Sequence, residues 1–324
     1  RRARADRPSF VLMKAMPVTP SPNPPSADAR QRVKLHIGHS PDPDDAFMWF
    51  PLANETNPLG EIRPKTARID TGNYDFIHVL QDIQTLNDRS EKGELEITAI
   101  SIAQYPYVAD KYALTNCGSS MGENYGPMVV SPRKLSIDDL RNVKIAVPGT
   151  RTTAFLTLSL LLGKGNFKYE VVPFDQIIEE VTAGRFDAGL IIHEGQLTYH
   201  KAGLEKIIDL GQWWQEKYNL PLPLGGNAIR RDLGKERLVE ICTILQQSIE
   251  YALANRSESL SYAMGFGRGL DTQLADQFVG MYVNHWTLDY GDRGRKAVNL
   301  LLSDAAKAGI TPDVGDVDFI YPAR

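Results

Sequence analysis

The sequence predicts an α/β protein of two lobes, each a mostly parallel sheet flanked by helices. Strand-like apolar segments alternate with segments of helical spacing in the order β-α-β-α-β-α, and that order occurs twice. The length of 324 residues suits about two domains. Hydrophobic residues make up 42% of the chain and 26 glycines bring that near half, the ordinary composition of a globular protein.

In the first copy, residues 34–39 read as a short strand broken by Ser40-Pro41-Asp42-Pro43-Asp44-Asp45. A helix is expected from Ala46, carrying Phe47, Met48, Phe50 and Leu52. Residues 62–70 read as a second strand. Phe76, Val79, Leu80, Ile83 and Leu86 fall at helical spacing and predict a helix up to Gly93. A third strand is expected over 95–100 and a third helix over 102–112.

The second copy opens with an apolar strand over 143–147 and the turn Pro148-Gly149-Thr150-Arg151-Thr152. A helix over 153–162 should stop at Gly163, where a left-handed cap is easily adopted. Residues 169–173 form the next strand, Asp175 caps a helix bearing Ile177, Ile178 and Val181, and Gly184 ends it. Residues 188–192 are the third strand. Beyond residue 224 the pattern is helical, over 238–254, 257–264, 273–282 and 294–308. The segment Leu220-Pro221-Leu222-Pro223-Leu224-Gly225-Gly226 reads as the linker back to the first lobe.

These readings place residues 33–130 and 225–324 in lobe 1 and residues 131–224 in lobe 2. Two α/β lobes joined by two crossings resemble the type II periplasmic-binding-protein architecture. Right-handed crossovers would gather the strand-to-helix loops on one edge of each lobe. Ligands of such proteins bind in the cleft between lobes, where strand ends and helix amino termini converge.

Residues 1–32 differ in character. Residues 16–29 are rich in Pro, Ser and Asn, too polar to offset chain entropy, and a disordered extension is expected. Its apolar part, 10–18, is short and interrupted by Lys14 and Pro17, which argues against a secretory signal. A start at Met13 or Met16 is the simpler explanation. The longest uncharged apolar run, 154–163, is about half a membrane span. Thirty-six basic residues against 40 acidic ones give a net charge of −4, which disfavours a nucleic-acid partner. Cys117 and Cys242 show no metal-ligand spacing and read as reduced, buried thiols of a cytoplasmic protein.

Four segments are expected to line the cleft: 40–45, 99–101, 149–154 and 193–195. His193 follows the apolar Ile191-Ile192 and so sits at the carboxyl edge of a strand, as a general base or as a histidine that only bonds a neighbouring loop. His78 on a helix, His36 within a strand and His200 in a polar loop are weaker candidates. The glycine turn before Thr152-Thr153-Ala154 opens a helix and suits a carboxylate, phosphate or hydroxylated ligand. It lacks the lysine of a P-loop and the glycine spacing of a dinucleotide fingerprint. The acids at 42, 44 and 45 lack the glycine and late glutamate of a calcium loop. Asp45 is expected to cap the helix or touch ligand, with the other two solvated. His193, Glu194 and His200 do not have zinc-protease spacing. Metal binding by these residues is not expected.

Taken together, the motifs resemble the 1,4-dihydroxy-6-naphthoate synthases of the futalosine route to menaquinone. The resemblance runs from about Lys34 to the C-terminal helices. It rests on Gly38-His39-Ser40-Pro41-Asp42-Pro43-Asp44-Asp45, Thr85-Leu86-Asn87, Ala146-Val147-Pro148-Gly149, Thr152-Thr153-Ala154 and Gly189-Leu190-Ile191-Ile192-His193-Glu194. Asp209-Leu210-Gly211 with Trp213-Trp214, Leu220-Pro221-Leu222-Pro223-Leu224-Gly225 and Tyr282-Val283-Asn284 extend it. The family implies a cytoplasmic carbon–carbon lyase that converts cyclic dehypoxanthine futalosine, a small anionic substrate, to 1,4-dihydroxy-6-naphthoate and dihydroxyacetone. By resemblance His193 is the proton acceptor, Ala99, Ile100, Ser101, Thr153 and Ala154 hold the substrate, and neither a metal nor an organic cofactor is implied.

Two departures stand out. The family's Thr-Lys-Leu-Ser appears as Thr98-Ala99-Ile100-Ser101, so a cation is missing, and Arg151 or a helix terminus is expected to meet the substrate carboxylate. The family's Ser-Pro-Cys-Pro-Asn-Asp carries Asp42 and Asp44 here, which adds negative charge. The alternatives are chorismate dehydratase of the same pathway, an exported solute-binding protein of the same fold, and a paralogue that binds without turnover. The Ile-His-Glu-Gly segment and paired tryptophans favour the synthase over the first. The second would carry a signal or a lipid-attachment cysteine.

Overall fold

Two separate sheets organise the chain, seen in a computed structural model that describes residues 32–52, 61–62, 67–266 and 271–323. Residues from Val33 onward form one unit that contains both sheets. The disorder expected of residues 1–32 lies, apart from Arg32, outside the described residues.

The chain opens with β1 (Val33–His39), α1 (Pro43–Trp49), β2 (Glu61–Ile62), β3 (Tyr74–Leu80), α2 (Ile83–Lys92) and β4 (Ile97–Ser101). There follow α3 (Tyr105–Val108), β5 (Tyr112–Thr115) and β6 (Ser120–Gly122). The second sheet uses β7 (Met128–Ser131), β8 (Lys144–Val147), β9 (Lys168–Val171), β10 (Ala188–Ile191) and β11 (Glu205–Asp209). Its helices are α4 (Thr153–Leu162), α5 (Ile177–Thr182), α6 (Gly195–Thr198) and α7 (Leu210–Tyr218). The chain returns through β12 (Leu222–Arg230) to α8 (Lys235–Ala254), α9 (Arg256–Ala263), α10 (Thr272–Tyr282), α11 (His285–Leu288), α12 (Gly291–Lys307) and β13 (Phe319–Ile320).

The larger sheet has the order β13-β5-β12-β4-β1-β3-β2, with β6 also paired to β12, and the smaller one β11-β7-β10-β8-β9. Parallel pairing joins β1 to β3 and β4, and β8 to β9 and β10. β12 runs antiparallel between β4 and β5, and β7 antiparallel between β10 and β11. One apolar cluster packs Phe47, Met48 and Trp49 of α1 against Ile241, Leu245 and Ile249 of α8. A second joins Leu114 and Leu222 of the larger sheet to Val129, Leu156 and Trp214 around the smaller one. Cys117 and Cys242 are free and buried.

Several expected elements are corrected. Residues 76–80 are not helical but part of β3, paired with all seven residues of β1. Its buried positions are Tyr74, Phe76 and His78, and because His78 is polar the period of two is masked. The strand expected over 62–70 reduces to Glu61–Ile62 among the described residues, with 67–70 outside any strand. The helix expected over 102–112 stops at Val108, since β5 begins at Tyr112 with four buried residues. The linker expected over 220–226 is largely β12, in the interior of the larger sheet. Its Pro223 lies where the pairing with β6 shifts register, which lets a strand carry proline. Helix α1 starts at Pro43 rather than Ala46, with proline in the favoured first turn. Gln176, not Asp175, precedes α5. Gly163 ends α4 at φ 88° and ψ 134°, a positive φ without the left-handed helical ψ. His200 lies in a 3-10 turn over Tyr199–Ala202.

Candidate active site

Helix α4 begins where a Gly-Thr turn leaves β8. Thr152 is its N-cap, accepting from the Phe155 N–H at 3.2 Å and donating to the Gly149 oxygen at 2.8 Å. The first-turn amides of Thr153 and Ala154 precede any intrahelical bond. Thr153 Oγ1 accepts from the Ala103 N–H at 3.1 Å and donates to the Leu224 oxygen at 2.6 Å. Its hydroxyl proton is therefore already committed to β12.

Asn87, fully buried on α2, fixes the end of β4. Its Oδ1 accepts from the Ser101 N–H at 2.9 Å and its amide donates to Ser101 Oγ at 3.0 Å. The same amide reaches the Arg151 oxygen at 3.4 Å, and Gln84 Oε1 accepts from the Arg151 N–H at 3.2 Å. Gly149 has φ 154°, and a Cβ there would fall 2.1 Å from Gln84 Oε1. Helix α2 thus grips the glycine turn of the other sheet.

His193 follows β10 and is 7% exposed. Its Nε2 lies 2.8 Å from the Phe174 oxygen, which can only accept, so Nε2 carries the proton. Nδ1 accepts from the Gly195 N–H at 3.1 Å and lies 3.3 Å from Glu194 Oε2. Burial opposes a charged ring, but Glu194, the Phe174 carbonyl and Asp42 outweigh it, and the pKa is raised. Gly195 leaves room for this ring, since a Cβ there would stand 3.2 Å from His193 Cε1.

These elements enclose a cavity of about 130 Å³. Ala99, Ile100, Ser101, Thr153, Ala154 and His193 all line it, together with Ser40, Asp42, Asp44 and Asp45. The expected residues therefore converge. Arg151 does not: it stacks over Tyr107 at 3.6 Å and pairs with Glu91 at 3.4 Å, outside the cavity. Its backbone already serves α2, which turns the side chain away. The described lining contains neither lysine nor arginine.

The acids behave differently from expectation. Asp45 is not the N-cap, a position held by Asp42 without a side-chain capping bond. Asp45 Oδ2 instead accepts from the Ser40 N–H at 2.7 Å. Asp44 is only partly exposed, and its Oδ1 is shut off from solvent without a hydrogen-bond partner among the described residues. Burial pushes the Asp45 carboxyl up to about 6, against the Ser40 N–H and with Asp42 adding to the rise.

Behind this loop His39 Nδ1 lies 3.0 Å from the Ser40 oxygen and Nε2 lies 2.9 Å from His78 Nδ1. The carbonyl requires His39 Nδ1–H, so His39 Nε2 accepts from His78 Nδ1–H. Burial lowers the pKa of both, His39 to about 4.

Sequence reasoning missed the role of Asn87, quoted only within a motif, and missed Asn227. Asn227 is 2% exposed, lines the cavity and pairs with Ala99 across β12 and β4. Tyr282, also lining, donates to Gln196 Oε1 at 2.8 Å. A buried amide on an apolar helix face, beside Leu86 and Ser90, is the signal that could have found Asn87. Asn227 gave none locally. Among the described residues no group of three or more His, Cys, Asp or Glu is placed to hold a metal, and no helix is long and apolar enough to cross a membrane.

The model of a protein family described as menaquinone biosynthesis matches residues 35–307. A 1,4-dihydroxy-6-naphtoate synthase of Streptomyces coelicolor is 35% identical over 292 residues, 89% of this chain and 98% of its own length. Its counterpart from Thermus thermophilus is 36% identical over 276 residues, 85% and 95% of the two chains. Among solved structures, a protein of Archaeoglobus fulgidus aligns with a TM-score of 0.77 at 41% identity, covering 86% of this chain and 98% of that one. The alkanesulfonate-binding protein of Xanthomonas axonopodis aligns at 0.59 with 12% identity, covering 89% and 98%, and shares the fold alone. The fold is the periplasmic-binding-protein-like α/β fold that the element order predicts, but both sheets are mixed rather than mostly parallel, because β12 and β7 run antiparallel within them.

Proposed function

This chain belongs to the menaquinone biosynthesis family, and from that premise we infer that its cavity cleaves cyclic dehypoxanthine futalosine to 1,4-dihydroxy-6-naphthoate and dihydroxyacetone. It is an enzyme of the 1,4-dihydroxy-6-naphthoate synthase type. The reaction is a cytoplasmic carbon–carbon cleavage of a small anionic substrate.

The observation that carries the assignment of roles is the ring of His193, buried in the cavity wall with Nε2–H committed to Phe174. That bond leaves Nδ1 as the basic nitrogen, which takes the proton that starts fragmentation as it gives up the 3.1 Å bond from the Gly195 N–H. Glu194, 3.3 Å away, stabilises the imidazolium so formed. Ala99, Ile100 and Ser101 provide one wall for the substrate. The first-turn amides of Thr153 and Ala154 face its carboxylate, a role suited to a helix amino terminus. Two apolar walls, Phe174 and Phe278, keep water from the reacting atoms.

The test is incubation of the purified protein with cyclic dehypoxanthine futalosine, with products followed by mass spectrometry. Formation of the dihydroxynaphthoate is expected. Its absence, with turnover of chorismate in a parallel assay, would move the chain to the dehydratase reaction.

A further inference from the structure

A second cavity, of about 280 Å³, shares no lining residue with the one described above. Its walls come from α3, the glycine turn, α4, the segment that leads into β9 and the residues that follow α12. Phe155, Phe167 and Tyr169 form one aromatic wall, with ring centroids 4.7 to 5.9 Å apart, and Tyr107 adds a fourth ring. Tyr169 is 43% exposed. The wall therefore keeps ring surface in water that a flat ligand would cover.

Two cations line this cavity, Arg151 and Lys164, and among the described residues no aspartate or glutamate does. The Arg151 guanidinium stacks over the Tyr107 ring at 3.6 Å, and its Nε pairs with Glu91 at 3.4 Å. Both side chains of that pair are about a third or more exposed, so the pair itself contributes little and leaves the guanidinium open to another anion. Its main chain is held by Gln84 and Asn87, which fixes where the cation stands before any ligand arrives. Lys164 Nζ donates to the Gly309 oxygen and has further hydrogens to give.

We propose that this cavity is a second binding site, which takes a planar aromatic ring bearing a carboxylate. The ring lies against Phe155, Phe167 and Tyr169, and the carboxylate bonds Arg151 and Lys164. A guanidinium fork matches a carboxylate in shape as well as charge, and the stacked rings select a flat partner over an aliphatic one. Arg151, expected from the sequence to meet a ligand carboxylate, does so here rather than in the catalytic cavity. The inference goes beyond the proposed reaction and does not depend on it.

The test is calorimetric titration of the full chain with 2-naphthoate, which carries both features. Saturable binding is expected. Arg151→Gln and Lys164→Ala should each weaken it about tenfold through loss of a charge-assisted hydrogen bond. Lys164 is exposed, so its removal leaves the fold intact, and thermal unfolding checks this for both variants. 2-Naphthol, the same ring without the charge, and hexanoate, the charge without a ring, should each bind about tenfold more weakly than 2-naphthoate. Failure to saturate at millimolar probe overturns the inference. So does unchanged affinity in either variant, because a probe held in the catalytic cavity would not sense these side chains. Equal binding of 2-naphthol or hexanoate overturns it as well. The titration reads no turnover, so a failed reaction assay would sink the proposed function and leave this result standing.

Discussion

The ring of His193 donates through Nε2–H to the main-chain oxygen of Phe174 at 2.8 Å. Because a carbonyl cannot donate in return, this bond sets the tautomer and assigns proton acceptance to Nδ1.

On the proposed role of His193 as the base, Glu194 sets the pH at which it acts. Activity needs the neutral ring, so it falls as pH drops through the His193 pKa. Burial lowers that pKa, but the Glu194 carboxylate together with the Phe174 carbonyl and Asp42 outweighs it, so the pKa lies above the ordinary imidazole value. Glu194→Gln should move the acid limb of the kcat/KM profile to lower pH. A limb that stays in place would remove Glu194 from this role.

Thr153 is expected to act by holding lobe elements together before it acts on substrate. Thr153→Ser preserves both bonds, to Ala103 and Leu224, and should stay within about 1 kcal/mol of wild-type stability. Thr153→Val loses both and should cost about 2–3 kcal/mol in urea unfolding. Equal stability of the two variants would contradict the assignment.

Asn87 fixes Ser101 through two hydrogen bonds and reaches the Arg151 oxygen. Asn87→Ala leaves the buried Ser101 N–H without its partner. A loss of about 2–3 kcal/mol is expected, together with a raised KM as Ser101 shifts in the cavity wall. Unchanged KM in a destabilised variant would mean that the clamp supports the fold alone.

The His39–His78 pair should make the protein sensitive to acid. Both rings are buried and neutral, with folded-state pKa values below the ordinary value of 6.5, about 4 for His39. The unfolded chain binds these protons first, so the stability contribution is complete above pH 6.5 and is lost as pH falls toward 4. Denaturant unfolding at pH 7 and pH 5 should show a smaller difference for His78→Leu than for wild type. Identical differences would rule the pair out as the source.

Much of this was legible in the sequence for local reasons. Helix α4 is read directly, because Thr152 caps it and Gly163 stops it within a continuous apolar run. His193 at a strand end needs only the apolar segment before it. β12 was hidden because Pro223, Gly225 and Gly226 look like a linker, and only pairing with β4 and β5 makes that segment a strand. β3 was hidden because a buried histidine interrupts its apolar alternation. The meeting of Asn227 with Ala99, and of Asn87 with Ser101, depends on register between distant segments and leaves no local pattern. The fate of Arg151 was misread for a related reason, since its partners Tyr107 and Glu91 belong to other elements.

The most direct test of the account is the His193→Ala variant, with turnover of cyclic dehypoxanthine futalosine measured by mass spectrometry and binding by calorimetry. The account predicts that turnover is abolished while affinity stays largely intact, because the proposal assigns substrate binding to the Ala99–Ser101 wall and the start of α4. Turnover at wild-type rates would remove His193 from the chemistry and contradict the central claim.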